Sequence, residues 1–251
     1  MKDLIHIVLF LTVSVIHAQD TLTVFDRPGV ADSPYITDSE NWQFETGLAY
    51  SENGGLSEAI LPSAMLRKSF LGANELRIAF NYEPQMMALI NRHISLDQDP
   101  IAIGIKRKIL RESGFIPEAS LLVNTYYPMQ EISALGKTGT YNAELGFQFQ
   151  NNLNEIFALN YNFGGIITDH HQKGILSYSL CLNITATDNL GFFTEIFGYS
   201  PLDSSQEEIG FDFGCVFNPT SNTQIDLSYI TNYYNNSSYG SLLIGYSFIL
   251  K

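Results

Sequence analysis

Residues 209–217 read IGFDFGCVF. Ile209, Phe211, Phe213 and Phe217 fall at one parity, and Asp212 with Gly210 and Gly214 at the other. A helix would spread those aromatic rings around its surface. A strand puts them all on one face, because successive side chains point to opposite sides.

The same period runs outward from that stretch. In WQFETGLAY (42–50), Trp42, Phe44, Leu48 and Tyr50 oppose Gln43, Glu45 and Gly47. ELRIAFNY (75–82), YNAELGFQF (141–149) and QIDLSY (224–229) repeat the pattern. Continued through 62–69, 100–109, 116–126, 155–163, 174–184, 190–199 and 240–250, it predicts about twelve strands, within a range of 10–14. Their length, about ten residues, suits a tilted membrane strand. The stretch 62–69 (PSAMLRKS) alternates least well.

The connections carry a second pattern. LGAN, RESG, QNNLN, TATDN and NPTSN are short, whereas 51–60, 83–99, 127–139, 164–173, 200–208 and 231–239 are longer. Alternating short and long connections predict an up-and-down antiparallel transmembrane β-barrel with tight periplasmic turns. Asn74, Asn154, Asn189 and Asn222 each precede a new strand, as residues that build and cap their own turns.

A soluble sandwich also alternates, but it turns its apolar face inward and a charged face to water. Here the apolar face is aromatic in nearly every strand, while the polar face is rich in glycine, serine and asparagine. Lipid outside and polar groups inside fit that distribution. The predicted lumen side chains are Glu45, Arg67, Glu75, Arg77, Lys106, Lys108, Glu118, Glu144, Glu195, Asp212 and Asp226. Arg67, Lys68, Arg77, Lys106, Arg107, Lys108 and Arg111 cluster near short turns, predicting a basic periplasmic sector. The longer connections carry Glu52, Glu58, Glu83, Asp97, Asp99, Asp169, Asp203, Glu207 and Glu208, predicting an acidic outer rim.

The 251-residue chain has a formal net charge of −13, which argues against a nucleic-acid partner. Lys2, the apolar run Leu4–Ile16 and the small Ala18 make residues 1–19 a secretory signal peptide. Residues 20–40 then form an N-terminal segment and 41–251 the barrel. Export permits a disulfide, but alternation places Cys181 and Cys215 on opposite faces, so two free thiols are expected.

No phosphate loop and no metal-spaced Cys/His set occurs, so no cofactor or metal is expected. His93, His170 and His171 fall in predicted outer loops without the spacing of a catalytic set, and an enzyme is not expected. PQMMALINRHISL (84–96) is apolar for an exposed loop and suits a constriction or a membrane-surface element.

The ordered set DRPGVADSPYIT, WQFETG, MLRKSF, NELRI, DPIAIGIKRKI, PEASLLVNTYYP, LGFQFQNNLNEIFALNYNFG, FFTEIFGYSP and FDFGCVFNPTSNTQIDL resembles an outer-membrane transporter family. That family is named for the MetA pathway of phenol degradation, and the likeness is to its Bacteroidetes-type members. It covers most of residues 24–250. The resemblance implies a barrel in the outer membrane of a Gram-negative bacterium, contacting lipid and small solutes and assembled by the barrel-assembly machinery. It implies passive passage of small, aromatic or otherwise apolar molecules. The chain departs from the usual aromatic C-terminus by ending in Lys251, with Phe248 the last aromatic. A structural or adhesive barrel with a closed lumen is the alternative, and a lipid-active enzyme a third.

Within the N-terminal segment, DRPGVADSP (26–34) holds two prolines, which fix backbone angles and remove strand donors. Asp20, Asp26, Asp32, Asp38 and Glu40 give it a charge opposite to that of the basic sector. The segment is therefore expected to fold into or across the inner mouth as a plug. Asp26, Arg27, Pro28, Ser33 and Pro34 are its candidate residues, with Asp26 and Arg27 as anchors.

Overall fold

The computed structural model describes residues 25–38, 40–53, 58–80, 101–127, 142–168, 173–202, 207–234 and 237–250. They form twelve strands: β1 (Trp42–Asn53), β2 (Glu58–Phe70), β3 (Asn74–Phe80), β4 (Ile101–Leu110), β5 (Glu118–Tyr127) and β6 (Asn142–Asn152), then β7 (Phe157–Thr168), β8 (Lys173–Thr187), β9 (Leu190–Pro201), β10 (Glu208–Thr220), β11 (Thr223–Tyr234) and β12 (Ser237–Leu250).

Every strand pairs antiparallel with its sequence neighbours, and β1 pairs with β12 to close the barrel. The seam runs from Trp42 opposite Leu250 to Asn53 opposite Tyr239. Closure leaves no row of unpaired backbone donors and acceptors facing hydrocarbon, where each would cost several kcal/mol. It also sets the start of β1 and the end of β12 at the same mouth, the one with the short turns.

Alternation decides which residues meet lipid. Along β10, Ile209, Phe211 and Phe213 are exposed, whereas Glu208, Gly210 and Asp212 are buried. Ile225, Leu227 and Tyr229 point outward from β11, and Gln224, Asp226 and Ser228 inward. In a soluble protein so many exposed aromatics would be a liability. Around a barrel they form the apolar belt. The irregular stretch 62–69 lies within a regular β2 that pairs on both sides.

The expected lengths of the connections are corrected. Strands β1 and β2 reach Asn53 and Glu58, β7 and β8 reach Thr168 and Lys173, and β11 and β12 reach Tyr234 and Ser237. These connections, expected to be long, therefore shrink to a few residues, while 81–100 and 128–141 lie outside the described residues. Towards these strand ends neighbouring residues such as Ile166 and Ile167, or Tyr233 and Tyr234, are alike at both parities, so the period fades while backbone pairing continues. The turn asparagines do not use left-handed backbone among the described residues, and at Asn154 the expected side-chain capping is seen. Leu71, with φ 48°, is the non-glycine residue at positive φ among the described residues. Asn154 instead accepts the backbone N–H groups of Ile156 and Phe157 at 2.9 Å each.

Candidate functional site: the lumen and its N-terminal segment

Residues 25–38 belong to no strand and run inside the barrel. Pro28 and Pro34 deny the segment a ladder, and the Arg27–Pro28 peptide bond is cis. Its backbone donors must then find side-chain partners on the wall. Asp26 N and Arg27 N donate to the Glu45 carboxylate at 3.2 and 3.0 Å. Val30 N donates to Glu195 at 2.9 Å, and Thr37 N to Glu75 at 2.6 Å. Asn160 and Asn162 donate to the Asp32 carbonyl at 3.2 and 3.1 Å.

The segment meets the basic side of the wall through Asp26. Its Oδ2 lies 2.9 Å from Lys106 Nζ, 3.1 Å from Arg77 Nη2 and 3.5 Å from Arg67 Nη1. Arg67 also pairs with Glu45 at 2.9 Å and Glu75 at 3.0 Å, and Arg77 with Asp32 at 3.1 Å. These cations come from β2, β3 and β4 at neighbouring register positions: Arg67 faces Arg77, and Glu75 faces Lys106. On the wall Glu45 and Glu75 pair with Arg67, while Asp26 and Asp32 from the segment supply the carboxylates that meet Arg77, and Asp26 the one that meets Lys106. Burial by itself would raise the Asp26 pKa. The Arg67, Lys106 and Arg77 cations outweigh that effect and hold it well below the usual carboxylate range. Lys106 also donates to the Ser33 carbonyl at 2.8 Å, and Ser33 N to Asp26 at 3.1 Å, which closes the segment into a loop around the ammonium.

Arg27 points across to the seam. Its Nη1 donates to Ser63 at 3.1 Å and its Nη2 lies 3.4 Å from Asp226, while Gln224 donates to its carbonyl at 3.1 Å. Gly47 and Gly245 face each other across the β1–β12 seam. A Cβ on Gly47 would stand 2.3 Å from Arg27 Nη2, and one on Gly245 2.5 Å from Arg27 Nε. The glycine pair makes a bare floor for the guanidinium. Ala31 packs against Cys181 and Phe193, both thiols are free, and Tyr35 Oη receives Gln150 and Asn152 at 3.4 Å each.

Other lumen candidates pair with groups of the wall and its turns. Lys108 pairs with Glu118, which also accepts the Glu112 N–H at 2.9 Å. Glu144 accepts Asn124 at 2.8 Å and Tyr126 at 2.6 Å. Asp212 faces Glu195 across strands, and neither lies within 4.0 Å of a cation among the described residues.

The basic cluster divides by parity: Arg67, Arg77 and Lys106 enter the lumen, while Lys68 and Arg107 stay outside. Glu208, expected on the outer rim, is instead buried in β10 and receives Asn232. The segment 84–96, His93, His170, His171 and the signal sequence lie outside the described residues, as do Glu83, Asp97, Asp99, Asp169 and Asp203. Phe193, Phe197 and Tyr199 enter the lumen from β9 without having been singled out. Their stretch FFTEIFGYS is apolar at both parities, so period alone does not select them. Gln224, Asn160 and Asn162 were also missed, because an uncharged amide in a strand carries no distinctive mark.

No family model and no curated protein matches the chain. Solved structures do. An outer membrane channel from Pseudomonas putida F1 superposes with a TM-score of 0.58 at 10% identity, covering 89% of this chain and 99% of that one. The KdgM porin in complex with disordered oligogalacturonate gives 0.55 at 5%, covering 82% and 98%. The CymD monoaromatic hydrocarbon channel gives 0.51 at 7%, covering 83% and 87%. At these identities the likeness is one of fold: a closed antiparallel barrel of the kind used by outer-membrane channels.

Proposed function

We propose that this chain is an outer-membrane channel for passive passage of small molecules, aromatic or apolar ones among them, and that residues 25–38 are its plug. On this reading residues 1–19 are removed on export, 20–40 form the plug segment and 41–251 the barrel. The observation that carries it is fourteen residues of unpaired chain, 25–38, held in the lumen by hydrogen bonds and ion pairs. Side chains fill a barrel of about eight strands, whereas sixteen or more leave an aqueous channel. Twelve strands leave space between those cases, and here a separable piece of chain takes it up. Solute would pass where the plug yields, along a wall carrying Glu45, Arg67, Arg77, Lys106, Glu195 and Asp226.

The aromatic preference draws on two supports. The resemblance to the phenol-degradation transporters implies it, and Phe193, Phe197 and Tyr199 give β9 an aromatic lumen face. A closed structural barrel is the second reading, favoured by the near-complete burial of the lumen charges.

Liposome swelling with sugars, amino acids and aromatic acids tests the first reading. The chain lacking residues 25–36 should swell vesicles faster than the full chain, with aromatic acids ahead of sugars of similar size. No flux from either protein, with both folded, would overturn the channel in favour of the structural barrel.

A further inference from the structure

We propose that the outer wall carries a binding site for an anionic phospholipid of the periplasmic leaflet, built by Lys68, Arg107 and Arg111 at the turn ends of β2 and β4. The inference rests on the barrel fold and is independent of what the lumen conducts.

The first ground is where the positive charge goes. Among the described residues, Arg27, Arg67, Arg77 and Lys106 point inward and are engaged there, and Lys108 pairs with Glu118. Lys68 and Arg107 remain on the outer wall, and Arg111 is exposed in the β4–β5 turn just past Leu110, at the same mouth and in the same sector. Lys68 faces Leu76 on β3, which faces Ile105 on β4, two residues before Arg107. Two strand spacings and a two-residue offset separate Lys68 and Arg107 backbones by roughly 12 Å. Side chains of that length converge on a single headgroup across such a gap.

The second ground is the absence of competing carboxylates. Neither Arg107 nor Arg111 has a carboxylate within 4.0 Å among the described residues. Arg107 donates to the neutral Asn74 at 3.3 Å. The acid beside Arg111, Glu112, is taken by Asn152, whose N–H donates to it at 2.6 Å. An anion approaching from the membrane therefore meets guanidinium groups without acidic partners.

The third ground is the apolar frame around these bases. Lys68 Nζ sits 5.5 Å from the centre of the Trp42 ring, an aromatic–cation pairing suited to the membrane interface. Leu71 in the β2–β3 turn is 87% exposed, and Phe115 in the β4–β5 turn is fully exposed. Apolar tips beside cationic groups are what an interfacial lipid satisfies, with acyl chains against the tips and phosphate at the bases. A second copy of the chain presenting this surface would bring like charges together. A free phosphate would leave Leu71 and Phe115 in water.

Trp42 is the sole tryptophan, so its fluorescence reports on this site. Folded protein would be placed in vesicles where either phosphatidylglycerol or phosphatidylcholine carries bromine, and the quenching compared. The expected result is a several-fold preference for phosphatidylglycerol near Trp42. It should fall towards unity in Arg107→Gln/Arg111→Gln, which leaves the Trp42–Lys68 contact in place, and further in Lys68→Gln/Arg107→Gln/Arg111→Gln. Gel mobility before and after heating shows that each variant is folded. Equal quenching by the two lipids in the native chain, or a preference unchanged in the double variant, would overturn the site. Loss of the preference on adding inorganic phosphate, but not chloride of equal ionic strength, would reassign it to a soluble anion.

Discussion

Lys106 and Asp26 stand 80 positions apart in the chain and 2.9 Å apart in the lumen. Asp26 is the carboxylate that Lys106, Arg67 and Arg77 share. Removing one partner from a buried ionic cluster costs about 3–5 kcal/mol, because uncompensated charge stays behind.

Asp26→Asn should therefore undock the plug while leaving the ladders of the barrel intact. Limited proteolysis of the folded protein would show faster cleavage within 25–38 than in the native chain. Cleavage at the native rate would mean that Asp26 is no anchor.

Arg27 and its glycine floor should behave as one unit. Gly47→Ala brings a methyl into the guanidinium, and the strain should displace Arg27 from Asp226. The cost should be about 1–3 kcal/mol, typical of overpacking. With Arg27→Ala already made, Gly47→Ala should cost much less. A double-mutant cycle by denaturant unfolding in micelles measures the difference, and simple additivity would contradict the contact.

Acid should release the plug only late. Asp26 is held below its unfolded pKa of about 3.9, so its contribution is complete above that value and is lost as pH falls through the folded one. The groups facing it are Arg67, Arg77 and Lys106, with Glu45 and Glu75 sharing Arg67. Protease access to 25–38 should be the same at pH 7 and about pH 5. Opening at pH 5 would assign the anchoring to another carboxylate.

The β9 aromatic face offers a fourth test. A Cβ on Gly210 would stand 2.1 Å from the Phe197 ring, which is fully buried. Gly210→Ala should lower the thermal midpoint, and adding Phe197→Leu should restore part of it. No change in the single variant would show that the ring moves freely.

The strands were legible because lipid enforces strict alternation, as Phe211, Asp212 and Phe213 illustrate. Strand ends were not: outside the belt, Asn232 and Tyr233 are both compatible with water, so period no longer marks pairing. Inward charges could be assigned by parity, but parity says nothing of partners. Arg67 and Lys68 are adjacent in sequence, yet one is locked among carboxylates and the other lies over Trp42. The aromatic lumen face was invisible because Phe192 and Phe193 fill both parities. The acidic character of DRPGVADSP and the basic character of β2–β4 could both be read. Which carboxylate meets which cation is set by strand register, which a single sequence does not reveal.

The β1–β12 seam joins the first strand to the last, so the cylinder is incomplete until the chain has been fully made. The plug's contacts divide along the same clock. Those with Glu45, Arg67, Glu75, Arg77 and Lys106 lie within the first 106 residues, whereas those with Glu195 and Asp226 lie 165 and 199 positions away. The early set needs only a curved sheet of four strands. Cysteine pairs placed beside these anchors rather than at them, and cross-linked during assembly, would join the segment to β4 before β11 if the order follows the contacts. The segment then never has to thread a finished cylinder: the wall is laid around it, and the last strand shuts it in.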